Sequence, residues 1–473
     1  MQVFNYSGPQ FNPFGDDTPA PEPEPATAEW LAPVASRPLA ARLALPGSKS
    51  LTNRELVLSA LAATPSLLRA PLHSRDTALM IQALKALGTS IVEVPSKNPD
   101  AFGPDLLITP AEISGGALSG GTSIDCGLAG TVMRFLPPVA ALALGSITFD
   151  GDAAARIRPM RTTIDSLRAL GVDVNDNGTG RLPFSLWGTG TVPGGEISID
   201  ASGSSQFVSG LLLAAPRFDT GLVLRHTGSS LPSLDHIGMT IATLAARGVI
   251  VDNPEPGVWV VPSGQIAGAE IDIEPDLSNA GPFLGAALVA GGSVTITGWP
   301  LHTTQVGAQM PDILERMGAL VSLTPTGAGL GELTVTGTGA IHGIRLDNSS
   351  ELAPTVAAIA ALADSETVLT GIAHLRGHET DRLVALATEI NALGGDVTET
   401  ADGLIIRPAS LTGGPWRCYE DHRMATAGAI IGLAIPGMQI DDITTTAKTL
   451  PQFAELWLGP LLGITKAATT RLL

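Results

Sequence analysis

Hydrophobic and polar positions along this chain fall into two recurring patterns. In the first, apolar residues at helical spacing end at a glycine and pass into a β-branched run. Residues 80–88 precede 91–94 in this way, and residues 164–171 precede 172–174; similar stretches occupy 241–251, 313–323 and 383–397. The glycine suits the C′ position that closes a helix, so each stretch predicts a helix followed by a strand. In the second pattern a polar loop leads into an Ala/Leu-rich helix and finishes in a strand near Gly or Asp. It covers 48–68, 129–151, 204–228, 278–298, 350–371 and 422–441. These helices are apolar nearly all round, which predicts burial. The combined unit is roughly 70 residues long and recurs about six times, longer than common solenoid repeats. An α/β fold is expected, with βαβ-containing units around a bundle of buried helices and the sheets outside.

The polar loops all sit at starts of buried helices, where orphan N–H groups and the helix dipole favour an anion. They carry Lys49 and Arg54, Gly130 and Arg134, Ser204-Ser205-Gln206, Asp276 and Ser278, Glu351, and His422-Arg423. The richest is Leu45-Pro46-Gly47-Ser48-Lys49-Ser50-Leu51-Thr52-Asn53-Arg54, ahead of an apolar segment, 55–63, that reads as a helix. Its glycine spacing is not that of a Walker loop, so a phosphate or carboxylate is implied and a nucleoside triphosphate is not. The alternative is a set of solvated caps with a few surface cations.

At 473 residues the chain can hold two or three domains. Its 27 basic and 45 acidic residues leave a net charge of −18, which argues against nucleic acid or an anionic membrane as partner. Against that field, clustered cations are the more telling. Cys126 and Cys418 are the two cysteines, without a disulfide framework or metal-ligand spacing, and a reduced cytoplasmic protein is expected. No signal-peptide pattern is present, and the apolar run 425–435 is too short to span a bilayer. Residues 12–28 are rich in Pro, Glu, Asp and Ala, and a mobile tail is expected over 1–37.

Several motifs in order resemble the 5-enolpyruvylshikimate-3-phosphate synthase family of enolpyruvyl transferases. They are Gly47-Ser48-Lys49-Ser50-Leu51-Thr52-Asn53-Arg54, Ala129-Gly130-Thr131-Val132-Met133-Arg134, Arg158-Pro159-Met160, Gly203-Ser204-Ser205-Gln206-Phe207, Glu379-Thr380-Asp381-Arg382 and Asp421-His422-Arg423-Met424-Ala425. The resemblance runs from about residue 45 to the C-terminus. It implies a two-domain inside-out α/β barrel, each domain built of three βαβαββ repeats with buried helices and outer sheets. The expected division is 48–274 for the domain that mainly binds shikimate 3-phosphate. Residues 38–47 plus 275–473 are expected to bind phosphoenolpyruvate and carry the catalytic carboxylates. The implied reaction adds the 5-hydroxyl of shikimate 3-phosphate to C2 of phosphoenolpyruvate, and phosphate then leaves a tetrahedral intermediate. No metal or organic cofactor is expected, and a monomer is expected.

By the same resemblance Lys49, Ser50 and Arg54 bind shikimate 3-phosphate, with Lys49 also reaching phosphoenolpyruvate. Ser204, Ser205, Gln206 and Ser233 add donors for that substrate. Gly130, Arg158, Arg382, Arg423 and Lys448 match positions that bind phosphoenolpyruvate. Arginine suits carboxylate and phosphate through its planar fork, and Gly130 admits close backbone approach. Arg134 either binds ligand or pairs with an acidic residue to brace the loop; the second is favoured. Glu351 is expected at the 5-hydroxyl, Glu379 near the methylene carbon, and Lys49 as their cationic partner in proton transfer. Glyphosate occupies the phosphoenolpyruvate region in sensitive members, so sensitivity is expected here, weakened by Gly130→Ala.

The chain departs from the family's commonest pattern at four places. Glu351 replaces Asp, His378 stands where lysine is common, and His374 and Leu128 stand where asparagine is common. His378 can still donate to substrate, but its charge depends on pH as lysine's does not. Two other readings compete. One is the related transferase acting on UDP-N-acetylglucosamine, for which Cys126 is the tempting feature; a buried small residue is the commoner role of such a cysteine. The other is an anion-binding repeat protein without activity, which needs no Glu351, Glu379 and Lys49 together.

Overall fold

The structure is a computed structural model that describes residues 29–111 and 121–464. The stretch 12–28, expected as a mobile tail, lies outside these residues.

Among the described residues, six small sheets surround two helix bundles. The helices Lys49–Leu61, Gly130–Ala140 and Gln206–Ala214 pack on one another at the centre of one half. The helices Leu277–Ala290, Ala353–Ala360 and His422–Gly432 do so in the other. These are the six helices that apolar composition predicts to be buried, and four of them are buried along their whole length or all but its last residues. Glycines set how closely they approach. A Cβ at Gly210 would stand 2.2 Å from the carbonyl oxygen of Arg134 on the neighbouring helix. With few aromatic residues to fill space, the bundles close by backbone proximity instead.

The outer elements follow the helix–glycine–strand pattern. Helix Arg161–Ala169 ends before Gly171 and leads to strand Asp173–Asn175; helix Arg382–Ala392 leads through Gly394 to Asp396–Glu399. Five of the sheets have four strands, and each begins with a parallel pair followed by two antiparallel neighbours. In three of these sheets the parallel pair is joined through a buried helix, as in Thr122–Asp125, Gly130–Ala140 and Leu144–Asp150. That is the βαβαββ unit.

Apolar side chains gather into two separate cores. One draws on residues between 56 and 266, the other on residues 30–45 together with 277–461. The chain passes between them twice. Strand Leu39–Leu43 pairs in parallel with Gly292–Pro300 in the second half, and strand Glu270–Asp272 pairs in parallel with Ser66–Arg69 in the first. The two crossings touch where Gly47 bridges Pro275.

Two expectations change. The tail expected to reach residue 37 includes ordered chain: Trp30 is buried, and Trp30–Leu31 pair antiparallel with Gln439–Ile440, completing the sixth, three-stranded sheet. The acidic, proline-rich composition stops before Trp30, whose indole has the area to hold this segment on the core. The first buried helix also begins earlier than residue 55. Ser48 caps it, its Oγ 3.5 Å from the Leu51 N–H, so Lys49, Ser50 and Arg54 lie within the helix.

A buried ion pair ties the first bundle to the helix Leu234–Ala246 next to it. Arg247 at its end donates to Glu55 (2.7 Å), and also to Ser59, Ser66 and the carbonyl of Ala267. Every side of this guanidinium is satisfied, which offsets its desolvation.

Candidate active site

One chamber opens at the seam between the halves, and the starts of all six buried helices line it. They contribute Ser48, Lys49 and Ser50; Gly130 and Thr131; Ser205 and Gln206; Asp276 and Ser278; Ser350 and Glu351; and His422 and Arg423. The helix dipoles therefore sum toward one volume, as the placement of polar loops predicts. Lys49, Arg54, Arg158, Arg382 and Arg423 bring positive charge; Asp276, Glu351 and Glu379 are the acidic lining residues.

Each residue expected at the site falls at this chamber. Lys49, Ser50, Arg54, Gly130, Arg158, Ser204, Ser205, Gln206, Ser233, Glu351, His378, Glu379, Arg382 and Arg423 line it. Lys448 stands directly behind, its Nζ 2.5 Å from Glu379 Oε1 and 2.9 Å from the Leu128 carbonyl. That carbonyl also accepts from Arg158 at 3.1 Å, so the backbone of Leu128 gathers two cations whatever its side chain. Lys49 Nζ lies 3.5 Å from Asp76, and its N–H donates to Asp276 across the crossing at 3.1 Å.

The two catalytic candidates occupy different surroundings. Glu379 is held by Lys448 and by Arg382, whose Nη2 is 2.9 Å from Oε2. Burial pushes its carboxyl up, but Lys448, Arg382 and Arg158 outweigh that and hold it well below the usual carboxylate range. Glu351 accepts from Ser278 Oγ at 2.5 Å and meets His236 Nε2 at 2.7 Å, with Arg423 4.0 Å away. Burial raises it too, and His236, Arg423 and Ser278 together bring it well below the usual range. Both carboxylates are ionised at neutral pH and able to accept a proton.

The histidines behave differently from lysine. Burial, then Arg382, lowers His374 to about 4, and the same causes take His378 well below its ordinary value. His378 Nδ1 lies 3.3 Å from Arg382 Nη1. Both rings are neutral at pH 7, so the positive charge that a lysine would supply at 378 is absent here.

Arg54 lines the chamber, yet much of its guanidinium is engaged. It donates to Thr240 Oγ1 (2.8 Å), to the Ser50 carbonyl (2.9 Å) and to the His236 carbonyl (2.9 Å). Arg134 braces its loop without the acidic partner expected of it. Its Nη2 donates to the Pro159 carbonyl at 3.3 Å and its guanidinium lies over the Phe207 ring. No ion pair to Arg134 is present among the described residues. Cys126 is fully buried, and burial raises its thiol pKa, so it is no nucleophile.

Sequence reasoning missed several participants. His236 stands three residues after Ser233, and its position in the first helical turn was the available signal. Asp421 is completely buried and takes Arg382 Nε at 2.7 Å and Nη2 at 3.1 Å, fixing the guanidinium plane. Gln305, Ser350 and Thr449 line the chamber as well, beside His422, which the polar loops already offered. Only the folded arrangement of the second half brings Gln305 and Thr449 there.

Comparison with known proteins agrees with this arrangement. The family model for EPSP synthase (3-phosphoshikimate 1-carboxyvinyltransferase) matches residues 34–457. A curated protein of Kocuria rhizophila named 3-phosphoshikimate 1-carboxyvinyltransferase is 57% identical over 432 residues, covering 90% of this chain and 95% of that one. The solved EPSP synthase of Acinetobacter baumannii superposes with a TM-score of 0.72 at 26% identity, covering 92% of this chain and 98% of the other. The enolpyruvyl transferase NikO of Streptomyces tendae shares the fold, with a TM-score of 0.69 at 18% identity over 90% and 96% of the two chains. The chain belongs to the EPSP synthase family.

Proposed function

We propose that the cations of the seam hold two phosphates and two carboxylates while Glu351 and Glu379 move the protons. The chain transfers the enolpyruvyl group of phosphoenolpyruvate to the 5-hydroxyl of shikimate 3-phosphate, releasing phosphate. In our reading Lys49, Ser50, Arg54, Ser204, Ser205, Gln206 and Ser233 receive shikimate 3-phosphate, in a domain spanning 48–274. Gly130, Arg158, Arg382, Arg423 and Lys448 receive phosphoenolpyruvate, with 38–47 plus 275–473 as the second domain. His378 faces the acceptor as a neutral hydrogen-bonding group. Glu351 takes the proton of the 5-hydroxyl as its oxygen bonds to C2. The C3 methylene gains a proton in the addition and returns it when phosphate leaves, with Glu379 and Lys49 beside it. Fixed charges aimed at the tetrahedral intermediate supply the transition-state stabilisation.

One observation carries this reading: Lys49, Arg158, Arg382, Arg423, Glu351 and Glu379, from distant stretches of chain, face one chamber. In our reading the enzyme acts as a monomer. Among the described residues no helix is long and apolar enough to cross a membrane, and the two thiols are buried and unpaired, which supports a cytoplasmic one. Phosphate release from phosphoenolpyruvate, measured with shikimate 3-phosphate and with UDP-N-acetylglucosamine as acceptors, tests it. Turnover with the sugar nucleotide alone would overturn the acceptor assignment, and no turnover with either would favour a binding protein.

A further inference from the structure

His236 reaches Glu351 from the opposite half of the molecule. It lies in the first turn of Leu234–Ala246, and its Nε2 is 2.7 Å from Glu351 Oε2. The other carboxylate oxygen accepts from Ser278, in the same half as Glu351. Glu351 is thus oriented by one bond from its own half and one from across the seam. The residue that carries the imidazole is itself anchored, because its carbonyl accepts from Arg54 (2.9 Å) and Thr240 (3.0 Å). Beside it, Ser233 Oγ lies 2.8 Å from Ser350 Oγ, a second bond across the same seam.

We propose that His236 is a positioning residue for Glu351, so that the acceptor's base is fully oriented only when the two halves meet. This rests on the assignment of Glu351 to the acceptor hydroxyl. A carboxylate held through one oxygen can swing about its terminal torsion, which is broad for glutamate. A second bond through the other oxygen fixes its plane, and small misplacements of a reacting group are costly. The hydroxyl proton passes to Glu351 as the new C–O bond forms; His236 donates its Nε2–H throughout and is not consumed. The charged and titratable groups that bear on this imidazole are Glu351, Arg423 beyond it, Arg54 behind its carbonyl, His374 beside Ser233, and Asp235 on its own helix.

The test is a double-mutant cycle with Glu351→Asp, which withdraws the carboxylate from the ring by one methylene. In the parent, His236→Phe is expected to lower kcat at least about tenfold, with KM for shikimate 3-phosphate nearly unchanged. The acidic limb of the kcat–pH profile is expected to shift. His236→Gln, which keeps an N–H donor, recovers most of the rate. In the Glu351→Asp background His236→Phe costs less than about twofold. Equal losses in both backgrounds, an unmoved pH profile, or an effect on KM alone would overturn the proposal. Should His236→Phe melt out, the comparison of His236→Gln with the shorter His236→Asn takes its place, and equal rates for those two would overturn it. Glu351→Gln separates the two levels of argument. Full turnover in that variant sinks the role of Glu351 itself, whereas a large loss there beside a silent His236→Phe sinks only the positioning role.

Discussion

Lys448 and Glu379 form a buried ion pair, Nζ to Oε1 at 2.5 Å, in which the lysine also donates to the carbonyl of Leu128 in the opposite half. One cation thus ties the Glu379 carboxylate of the second half to the loop that precedes Gly130 in the first. Arg382 holds the other oxygen of Glu379 and is itself held by Asp421.

Glu379→Gln is expected to leave shikimate 3-phosphate binding largely intact while cutting turnover by at least about two orders of magnitude, as for loss of an acid/base group. It also strips Lys448 of its buried counter-ion, so a stability loss of about 3 kcal/mol should accompany it. Calorimetry, phosphate release and thermal melting read the three effects. Unchanged turnover would remove Glu379 from the proton path.

Gly130 packs under three polar tips. A Cβ there would stand 2.9 Å from Gln206 Oε1 and 3.1 Å from an Nη atom of both Arg134 and Arg158. All three are ends of flexible side chains, so Gly130→Ala should fold. Displacing Arg158 should raise KM for phosphoenolpyruvate several-fold, and weaken glyphosate competition by more. Inhibition kinetics with both ligands check this, and an unchanged KM would contradict it.

The depressed histidines make stability depend on pH. His374, lowered from 6.5 to about 4, stays neutral in the fold while the unfolded chain takes up a proton below about 6.5. The unfolded state then binds more protons, so stability is full above that pH and falls as pH drops toward 4. By pH 5 this one group contributes a loss of about 2 kcal/mol. His374→Asn should flatten part of the fall in Tm between pH 7 and 5, with His378 and His422, shifted the same way, supplying the remainder. Identical Tm slopes in parent and variant would rule out a neutral buried His374.

Arg247 and Glu55 offer a stability test remote from the chemistry. Arg247→Met leaves the Glu55 carboxylate buried without its partner and should cost about 3–5 kcal/mol. The double change Glu55→Leu/Arg247→Met should cost less than the sum of the two single changes. Denaturant midpoints measure both, and strict additivity would show that the pair does not act as a unit.

Domain closure makes the bonds across the seam testable. His236–Glu351, Ser233–Ser350 and Lys448–Leu128 span the seam, so ligands that add charge pairing there should compact the enzyme. Solution scattering should show a smaller radius of gyration with both substrates, and superimposable curves would count against closure.

Much of this arrangement was legible in the sequence because it rests on local patterns. Apolar spacing followed by glycine marked the outer helices, and polar loops before Ala/Leu runs marked the chamber lining. What escaped depends on contacts between distant residues. Nothing near Trp30 says that its strand partner is Ile440. Asp421 reads as a helix cap and serves as one for Arg423 N–H, and its grip on Arg382 exists only in three dimensions. His236 was passed over because its carboxylate partner lies 115 positions away on the other half. Arg134 was expected to brace its loop through an acidic partner, whereas a carbonyl and an aromatic face meet it in the interior.

Strand Leu39–Leu43 belongs to the sheet of one body, and the chain then builds the whole of the other before resuming at Leu277–Ala290. One body is in effect spliced into a connection of its neighbour, with the entry and exit seams side by side at Gly47 and Pro275. A fragment cut simply at 275 would therefore lack an edge strand of its own, whereas fusing residue 47 to 275 through a short linker keeps both flanks of that sheet on one polypeptide.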